Sequence, residues 1–253
     1  MMVLVLACTA SRQNDTADST PWDTAVYPAE GVFCDPAEQI GVITVYSLPP
    51  PDGPRLVGRV WDRPHPWVDD PVVQDDVCAF YDGQPCEDCP EPRGLKATAI
   101  VNGQEFPSDD ETQLIWGEFS GDRFEVGVRF AGGTATTEPL DTLEDIIPSV
   151  SAAGSMDQPG DLTLSWTGED RGQVFTRIPM NHHGSAYAWT QCMTDASEGR
   201  LVAPAEMVNP LSIITGLEYQ GLSHGQFVAA ETDMGCVQFS VQRLYKNDVQ
   251  FAD

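Results

Sequence analysis

Seven cysteines are the residues of this 253-residue chain whose type and number point most directly to chemistry. Cys8 stands apart near the start, which leaves an even set of six, as three disulfides require. Cys86-Glu-Asp-Cys89 also suggests zinc or redox chemistry, but a structural zinc site usually has a second such pair or two histidines. Prolines on both sides of the motif oppose the helix of a thioredoxin-like site. We therefore predict disulfides, formed by Cys34, Cys78, Cys86, Cys89, Cys192 and Cys236.

The pairing of these cysteines follows only in part from their positions. Cys192 and Cys236 are the two that follow residue 89, and both lie in strand-like patterns, so we predict that they pair with each other. Three pairings are open for the other four, and we favour Cys78 with Cys86 and Cys34 with Cys89. Disulfides form and persist outside the cytoplasm, so the cysteine count indicates an exported protein.

One catalytic pattern occurs, because Gly221-Leu-Ser223-His-Gly225 fits G-x-S-x-G, the nucleophile elbow of α/β-hydrolases. The elbow needs a strand-to-helix turn and a histidine later in the chain. Here a strand-like pattern follows, and no histidine comes after His224. We therefore predict no catalytic residue here and expect a hairpin turn with Ser223 and His224 at its tip.

Two further groups of residues could bind a metal ion. His182 and His183 are adjacent, but neighbouring residues of a strand point to opposite faces, and the flanking Asn and Gly favour a turn. Acidic clusters could supply oxygen ligands for calcium, although none follows the EF-hand loop pattern. We expect no metal site and no cofactor, with calcium kept as an alternative. The clusters are Asp69-Asp70, Asp75-Asp76 and Asp109-Asp110-Glu111.

Trp61 and Trp67 form a candidate ligand platform. They lie six residues apart in Trp-Asp-Arg-Pro-His-Pro-Trp, where the prolines stiffen the backbone. Indole rings held outward in this way could contact carbohydrate or another surface protein. The alternative is that both rings pack against the core.

These residues must be positioned by strands, because alternating or β-branched runs bounded by Gly, Pro and Asp recur along the chain. Helical periodicity is nearly absent, and its two best candidates, 140–147 and 204–214, predict single helical turns at most. A Gly/Ser/Pro-rich stretch at 148–160 predicts a linker between a module at 31–147 and a module at 161–253. In the second module, the strand Asp-Leu-Thr-Leu-Ser-Trp at 161–166 resembles strands of immunoglobulin-like and fibronectin-like sandwiches. We therefore predict an all-β protein of two β-sandwich, immunoglobulin-like modules.

The amino terminus predicts a membrane anchor. Val5-Leu6-Ala7-Cys8 resembles the lipobox of bacterial lipoproteins, which implies lipid attachment at Cys8. Residues 1–8 are then the remnant of a leader that ends at Cys8, and the residues before Cys8 are removed. The apolar run is shorter than the roughly 7 to 15 residues of a signal, so we expect the leader to begin upstream of Met1. Residues 9–30 are rich in Asp, Thr, Ser and Ala, a composition typical of a disordered tether.

Charge limits the range of partners. Thirty-nine acidic residues against 13 basic ones give a formal net charge of −26, which opposes binding to nucleic acid. We therefore predict an exported, lipid-anchored protein of the outer membrane or cell surface, with a structural, adhesive or binding role rather than an enzymatic one. The alternatives are an exported hydrolase acting on carbohydrate and a calcium-stabilised soluble exoprotein.

Overall fold

Strands make up most of the chain that the computed structural model describes, namely residues 32–47, 53–64, 71–83, 91–155, 158–179, 187–212 and 219–252. The prediction of an all-β protein is confirmed. One α-helix of eight residues, Ala205–Ser212 (α1), lies within 204–214, where the sequence predicts a single turn at most. The other candidate turn, at 140–147, contains strand residues instead. The strands are Gln39–Tyr46 (β1), Arg55–Val60 (β2), Val73–Gln74 (β3), Cys78–Gly83 (β4), Ala97–Val101 (β5), Gln104–Pro107 (β6), Ile115–Glu118 (β7), Arg123–Phe124 (β8), Val126–Phe130 (β9), Gly133–Thr136 (β10), Leu140–Asp141 (β11), Ile146–Ser155 (β12), Gln158–Gly168 (β13), Gln173–Pro179 (β14), Tyr187–Asp195 (β15), Arg200–Ala203 (β16), Tyr219–Thr232 (β17) and Gly235–Ala252 (β18).

Alternation of apolar and polar residues explains why these segments form strands. On β13, Leu162, Leu164 and Trp166 lie on one buried face, as the alternation predicts. The indole Nε1 of Trp166 donates a hydrogen bond to the carbonyl of Ala196 at 2.7 Å. The polar end of this buried ring is therefore satisfied inside the fold.

A long hairpin formed by β17 and β18 organises the largest sheet. The two strands pair from Tyr219 with Asp248 to Thr232 with Gly235. The other edge of β18 pairs first with β1 and then with β12, in both cases in parallel. Strands from the beginning, middle and end of the chain therefore share one 12-stranded sheet, beside sheets of four and two strands.

Two hydrophobic cores lie along this hairpin. In the first, apolar residues of β1, β2 and β18 pack against the four-stranded sheet β10-β9-β5-β6, which makes a sandwich. In the second, β12, β13 and β16 pack with β4, β14, β15 and α1. The hairpin contributes Phe239 to the first core and Leu222 to the second, so it connects the two.

The predicted linker at 148–160 is wrong. Residues 148–155 belong to β12 and residues 158–160 to β13, and these two strands pair with each other. Val150 and Ala152 are buried at alternate positions of β12, and the residues around them are small. Because the intervening residues are Ser, Ala and Gly, the composition resembles a loop although the burial pattern is that of a strand. The segments 31–147 and 161–253 consequently share a sheet and are not separated at this point.

The disulfides also differ from the predicted pairing. Cys34 pairs with Cys236, and Cys78 pairs with Cys192, so the predicted bridge from Cys192 to Cys236 is wrong. The favoured partners of Cys34 and Cys78 were wrong for the same reason, since sequence proximity misses partners 202 and 114 residues away. Direct pairing of β4 with β15 places Cys78 opposite Cys192. Cys86 and Cys89 lie outside the described residues.

Candidate functional site

The face of the 12-stranded sheet that points away from the two cores carries the candidate site. On β1, Ile43 and Val45 point into a core, while Val42, Thr44 and Tyr46 point to the opposite side. On β18, Gln238, Ser240 and Gln242 lie directly beside these three residues. We call this side of the sheet the outer face.

A cavity of about 320 Å³ lies on the outer face, and we call it the polar pocket. Its volume is at the lower end of the roughly 300–1,000 Å³ of small-ligand sites. Three phenylalanines line one part, and amide and hydroxyl side chains line most of the rest. Its lining residues are Phe33, Cys34, Pro36, Gln39, Val42, Thr44, Tyr46, Phe175, Arg177, Gln191, Ser223, Phe227, Gln238, Ser240 and Gln242.

Phe33 supplies the centre of the aromatic part. Its ring lies 4.9 Å from the ring centroid of Phe175 and 5.0 Å from that of Phe227. The segment carrying Phe33 is held by Gln238, whose amide accepts from the Cys34 N–H at 2.9 Å and donates to the Val32 carbonyl at 3.0 Å. With the Cys34 disulfide, these bonds fix the aromatic wall in place.

Several polar side chains of the pocket are deeply buried. Thr44, Ser223 and Ser240 are no more than 7% exposed, and the Ser240 hydroxyl donates to that of Thr44 at 3.1 Å. The Oε1 atom of Gln242 is buried and has no hydrogen-bond partner among the described residues. Buried polar atoms normally have a partner, so this acceptor is available to a bound molecule.

One cation and no carboxylate line the polar pocket within the part of the chain that the structure describes. The Arg177 guanidinium lies 4.4 Å from the ring centroid of Trp189, which itself stacks on Tyr81. Burial lowers the pKa of Arg177 below its ordinary value. The described lining of the polar pocket therefore carries no negative charge, in a chain with 39 acidic residues.

A second cavity of about 690 Å³ adjoins the polar pocket, with Tyr46 lining both. We call it the Trp116 cleft, and its lining residues are Tyr46, Ser47, Arg55, Val57, Trp116, Asp145, Arg243, Leu244 and Tyr245. Trp116 is 60% exposed and Leu244 is 61% exposed, which is unusual for such large apolar side chains. The cleft is therefore open to a ligand or partner.

The polar wall of the Trp116 cleft is built around Asp145. Its carboxylate accepts hydrogen bonds from Arg243 and, at 2.9 Å, from the Tyr245 hydroxyl. The bond from Arg243 is the main reason why the pKa of Asp145 is lowered below its ordinary value. Tyr245 also accepts from the Ile146 N–H at 3.2 Å, so this group joins β18 to the start of β12.

Trp61, one of the two tryptophans predicted as a platform, is not part of this site. Trp61 is half-buried at the end of β2, forms a bridge with Gly94 and has the guanidinium of Arg59 5.9 Å from its ring centroid. It lines neither the polar pocket nor the Trp116 cleft. Trp67 lies outside the described residues, as does Cys8.

The serine of the G-x-S-x-G pattern lies in the polar pocket but without catalytic geometry. Gly221 to Gly225 lie inside β17, so the predicted hairpin turn is wrong, and the turn comes only after Thr232. Ser223 and His224 are consecutive strand residues and point to opposite faces. The Nε2 of His224 lies 2.9 Å from the carbonyl of Arg171 and is directed away from Ser223.

In the acidic clusters that the structure describes, Asp75 and Asp109 stabilise turns of the backbone. Asp75 accepts hydrogen bonds from the N–H groups of Val77 and Cys78. Asp109 accepts from the hydroxyl and N–H of Thr112, and these bonds lower its pKa to about 2. Among the described residues, no group of three or more His, Cys, Asp or Glu could hold a metal ion. Asp69, Asp70, His182 and His183 lie outside the described residues.

Sequence reasoning missed the polar pocket, although a signal was present. In Cys236-Val-Gln-Phe-Ser-Val-Gln242, apolar and polar residues alternate, and the polar set is uncharged in a strongly acidic chain. The residues that lie beside this polar set, Val42, Thr44 and Tyr46, come about 200 residues earlier in the chain. Only the parallel pairing of β1 with β18 brings the two together.

Comparison with known proteins gives no match, either to a protein-family model or to a curated protein. In the described part of the chain, no helix is long and apolar enough to span a membrane. The two disulfides fit a protein that folds outside the cytoplasm.

Proposed function

We propose that the protein is an exported, lipid-anchored binding protein of the outer membrane or cell surface, and that the polar pocket is its ligand site. The observation that carries this proposal is the pocket lining, which combines buried amides and hydroxyls with an aromatic wall and has no carboxylate among the described residues. Burying polar groups costs free energy unless they are bonded, so a fold tends to retain them for a purpose.

Binding fits the pocket better than catalysis does. Hydrolysis of a glycosidic bond needs two carboxyl groups across the substrate. The described lining of the polar pocket has none, and that of the Trp116 cleft has only Asp145, which already accepts bonds from Arg243 and Tyr245. The exported hydrolase is therefore the less favoured alternative, and calcium stabilisation stays a prediction.

The anchor is proposed from the lipobox-like residues 5–8 and the tether-like composition of 9–30. A flexible tether of this length has a mean reach of roughly 25 Å, enough to hold the folded part clear of lipid headgroups. Mass spectrometry of protein purified from the membrane fraction should show a lipid-modified Cys8 as the first residue. The Cys8→Ser variant should leave that fraction, and an unmodified Cys8 in the membrane fraction would contradict the anchor.

The binding role can be tested by thermal unfolding in the presence of small molecules. A suitable panel contains uncharged sugars, polyols, sugar acids, amino acids and quaternary ammonium compounds. At least one should raise the melting temperature of the wild-type protein, and Gln242→Leu should abolish that rise. Gln250→Leu is the matched control, because Gln250 is exposed on the same strand and lines neither cavity. A panel without any Gln242-dependent shift would refute the proposed site.

A further inference from the structure

The polar pocket and the Trp116 cleft form one continuous surface across five strands. A cross-strand row runs from Phe227 on β17 through Ser240, Thr44 and Val57 to Trp116 on β7. Neighbouring strands are about 4.8 Å apart, so four steps make a row of roughly 19 Å. Tyr46 lines both cavities and lies beside this row. The site is therefore longer than a single small ligand needs.

The chemistry of this surface changes along its length. At the β17 end, buried amides and hydroxyls face the aromatic wall, whereas at the β7 end the contact groups are the exposed side chains of Trp116 and Leu244. A glutamine amide both donates and accepts hydrogen bonds, which matches a ligand rich in hydroxyl groups. Aromatic rings offer flat apolar surfaces for the C–H face of a ring-shaped ligand.

The charge and polarity of the pocket lining limit the class of ligand further. A cationic ligand would meet Arg177 in a pocket whose described lining has no carboxylate. A purely apolar ligand would leave the buried Gln242 Oε1 without a partner. An anionic ligand would be opposed by the formal net charge of −26 of the chain. An uncharged, hydroxyl-rich ligand meets none of these three costs.

An extended peptide fits less well. Peptides that add to a sheet bind at an edge, where backbone N–H and C=O groups are available. The row from Phe227 to Trp116 crosses the face of the sheet, and β18, β1 and β2 along it are each paired on both sides. Their backbone groups are used within the sheet at these positions.

We infer that the protein binds an uncharged oligosaccharide, with one sugar ring in the polar pocket and the chain extending past Tyr46 to stack on Trp116. This inference rests on the proposed binding function and adds its ligand class. The polar pocket supplies the hydrogen bonds for the terminal ring. Trp116 adds affinity only when the ligand is long enough to reach it.

Calorimetric titration with chain-length series tests this directly. The probes are gluco-, galacto-, manno-, xylo- and chito-oligosaccharides of one to six units. At least one series should bind, with affinity rising about 10-fold or more between one and four units. Trp116→Ala should remove that gain and leave the affinity for the single sugar unchanged. Leu114→Ala is the control, because Leu114 is also exposed but lines neither cavity.

Tryptophan fluorescence gives an independent measurement. Of the described tryptophans, Trp116 is the exposed one, since Trp61 is half-buried and Trp166 and Trp189 are each 5% exposed. Long oligosaccharides should shift the emission to shorter wavelength and single sugars should not. The shift should be absent from Trp116→Phe.

The possible results separate the two proposals. Gln242-dependent binding of another compound class, with no binding of saccharides, would refute the oligosaccharide and leave the binding function standing. Saccharide affinity that is independent of chain length and of Trp116 would refute the extended site, as would a peptide that binds through Trp116. If no probe binds in a Gln242-dependent way, both proposals fail.

Discussion

Removing the disulfide between Cys78 and Cys192 should strongly destabilise the fold. Both sulfurs are fully buried, and the bridge joins β4 to β15 across 114 residues of chain. In the chain-entropy relation, a closed loop of this length restricts the unfolded chain by about 5 kcal/mol. Measured losses for native disulfides are usually 2–5 kcal/mol, so we expect Cys78→Ala with Cys192→Ala to lower the free energy of unfolding by about 3–5 kcal/mol.

Urea unfolding followed by tryptophan fluorescence measures this loss. The matched variant is Cys34→Ala with Cys236→Ala, which opens a loop of 202 residues. The entropy of loop closure grows only with the logarithm of loop length. The entropic part of the lost unfolding free energy should therefore agree within about 1 kcal/mol between the two double variants. A change of less than 1 kcal/mol in either double variant would refute the entropic reasoning.

Single variants test the pairing itself. Cys78→Ala should release one thiol, at Cys192, which alkylation and peptide mass spectrometry would locate. Release of a thiol at Cys236 or Cys86 instead would contradict the structure. The double variant Cys192→Ala with Cys236→Ala breaks both described bridges, so it should be much less stable than either single-bridge variant. Stability equal to that of a single-bridge variant would contradict the two described bridges.

Three further predictions concern the hairpin of β17 and β18. Gly225→Ala should lower stability by roughly 1–3 kcal/mol in urea unfolding, because an added Cβ would lie 2.2 Å from the Val241 carbonyl oxygen. Gly221→Ala on the same strand meets no atom within 4 Å and should change stability much less. Burial lowers the pKa of His224 below its ordinary 6.5, so the folded state binds this proton less readily than the unfolded state. Stability should therefore be full above pH 6.5 and fall as the pH drops below it, and His224→Gln should flatten the melting temperature across pH 7.5 to 5. Gln242→Leu should leave stability unchanged or raise it by about 1 kcal/mol, since it removes a buried acceptor without a described partner. A clear loss of stability there would show that the amide has a structural role.

Local patterns in the sequence were sufficient to predict much of the fold. Alternation along 161–166 correctly placed Leu162, Leu164 and Trp166 on one buried face, because the side-chain period of a strand is a local property. The even cysteine count correctly identified Cys34, Cys78, Cys192 and Cys236 as disulfide-bonded, although not their partners.

Partner choice over long distances could not be predicted. Nothing in the local pattern of β1 indicates that it pairs with β18, nearly 200 residues later, rather than with a neighbour. The same limitation hid the polar pocket, whose side chains come from β1, β14, β15, β17, β18 and the segment around Phe33. Thr44, Gln191 or Ser240 alone has the composition of an ordinary solvent-facing strand position. They form a site only because the pairing of distant strands places them around one cavity.

The two faces of the hairpin differ in a way that supports the proposed binding function. Val237, Phe239 and Val241 fill a core, and apolar residues there are what stability requires. Gln238 and Ser240 on the other side are 5% and 2% exposed, so they are almost as deeply buried but polar. The burial of a polar side chain at Gln238 has a structural explanation, because its amide holds the Val32–Cys34 segment by hydrogen bonds. Gln242, whose Oε1 has no described partner, contributes no such bond through that atom. Apolar residues at such positions would pack at lower cost, so polar groups kept without structural partners are expected where a ligand supplies the missing bonds.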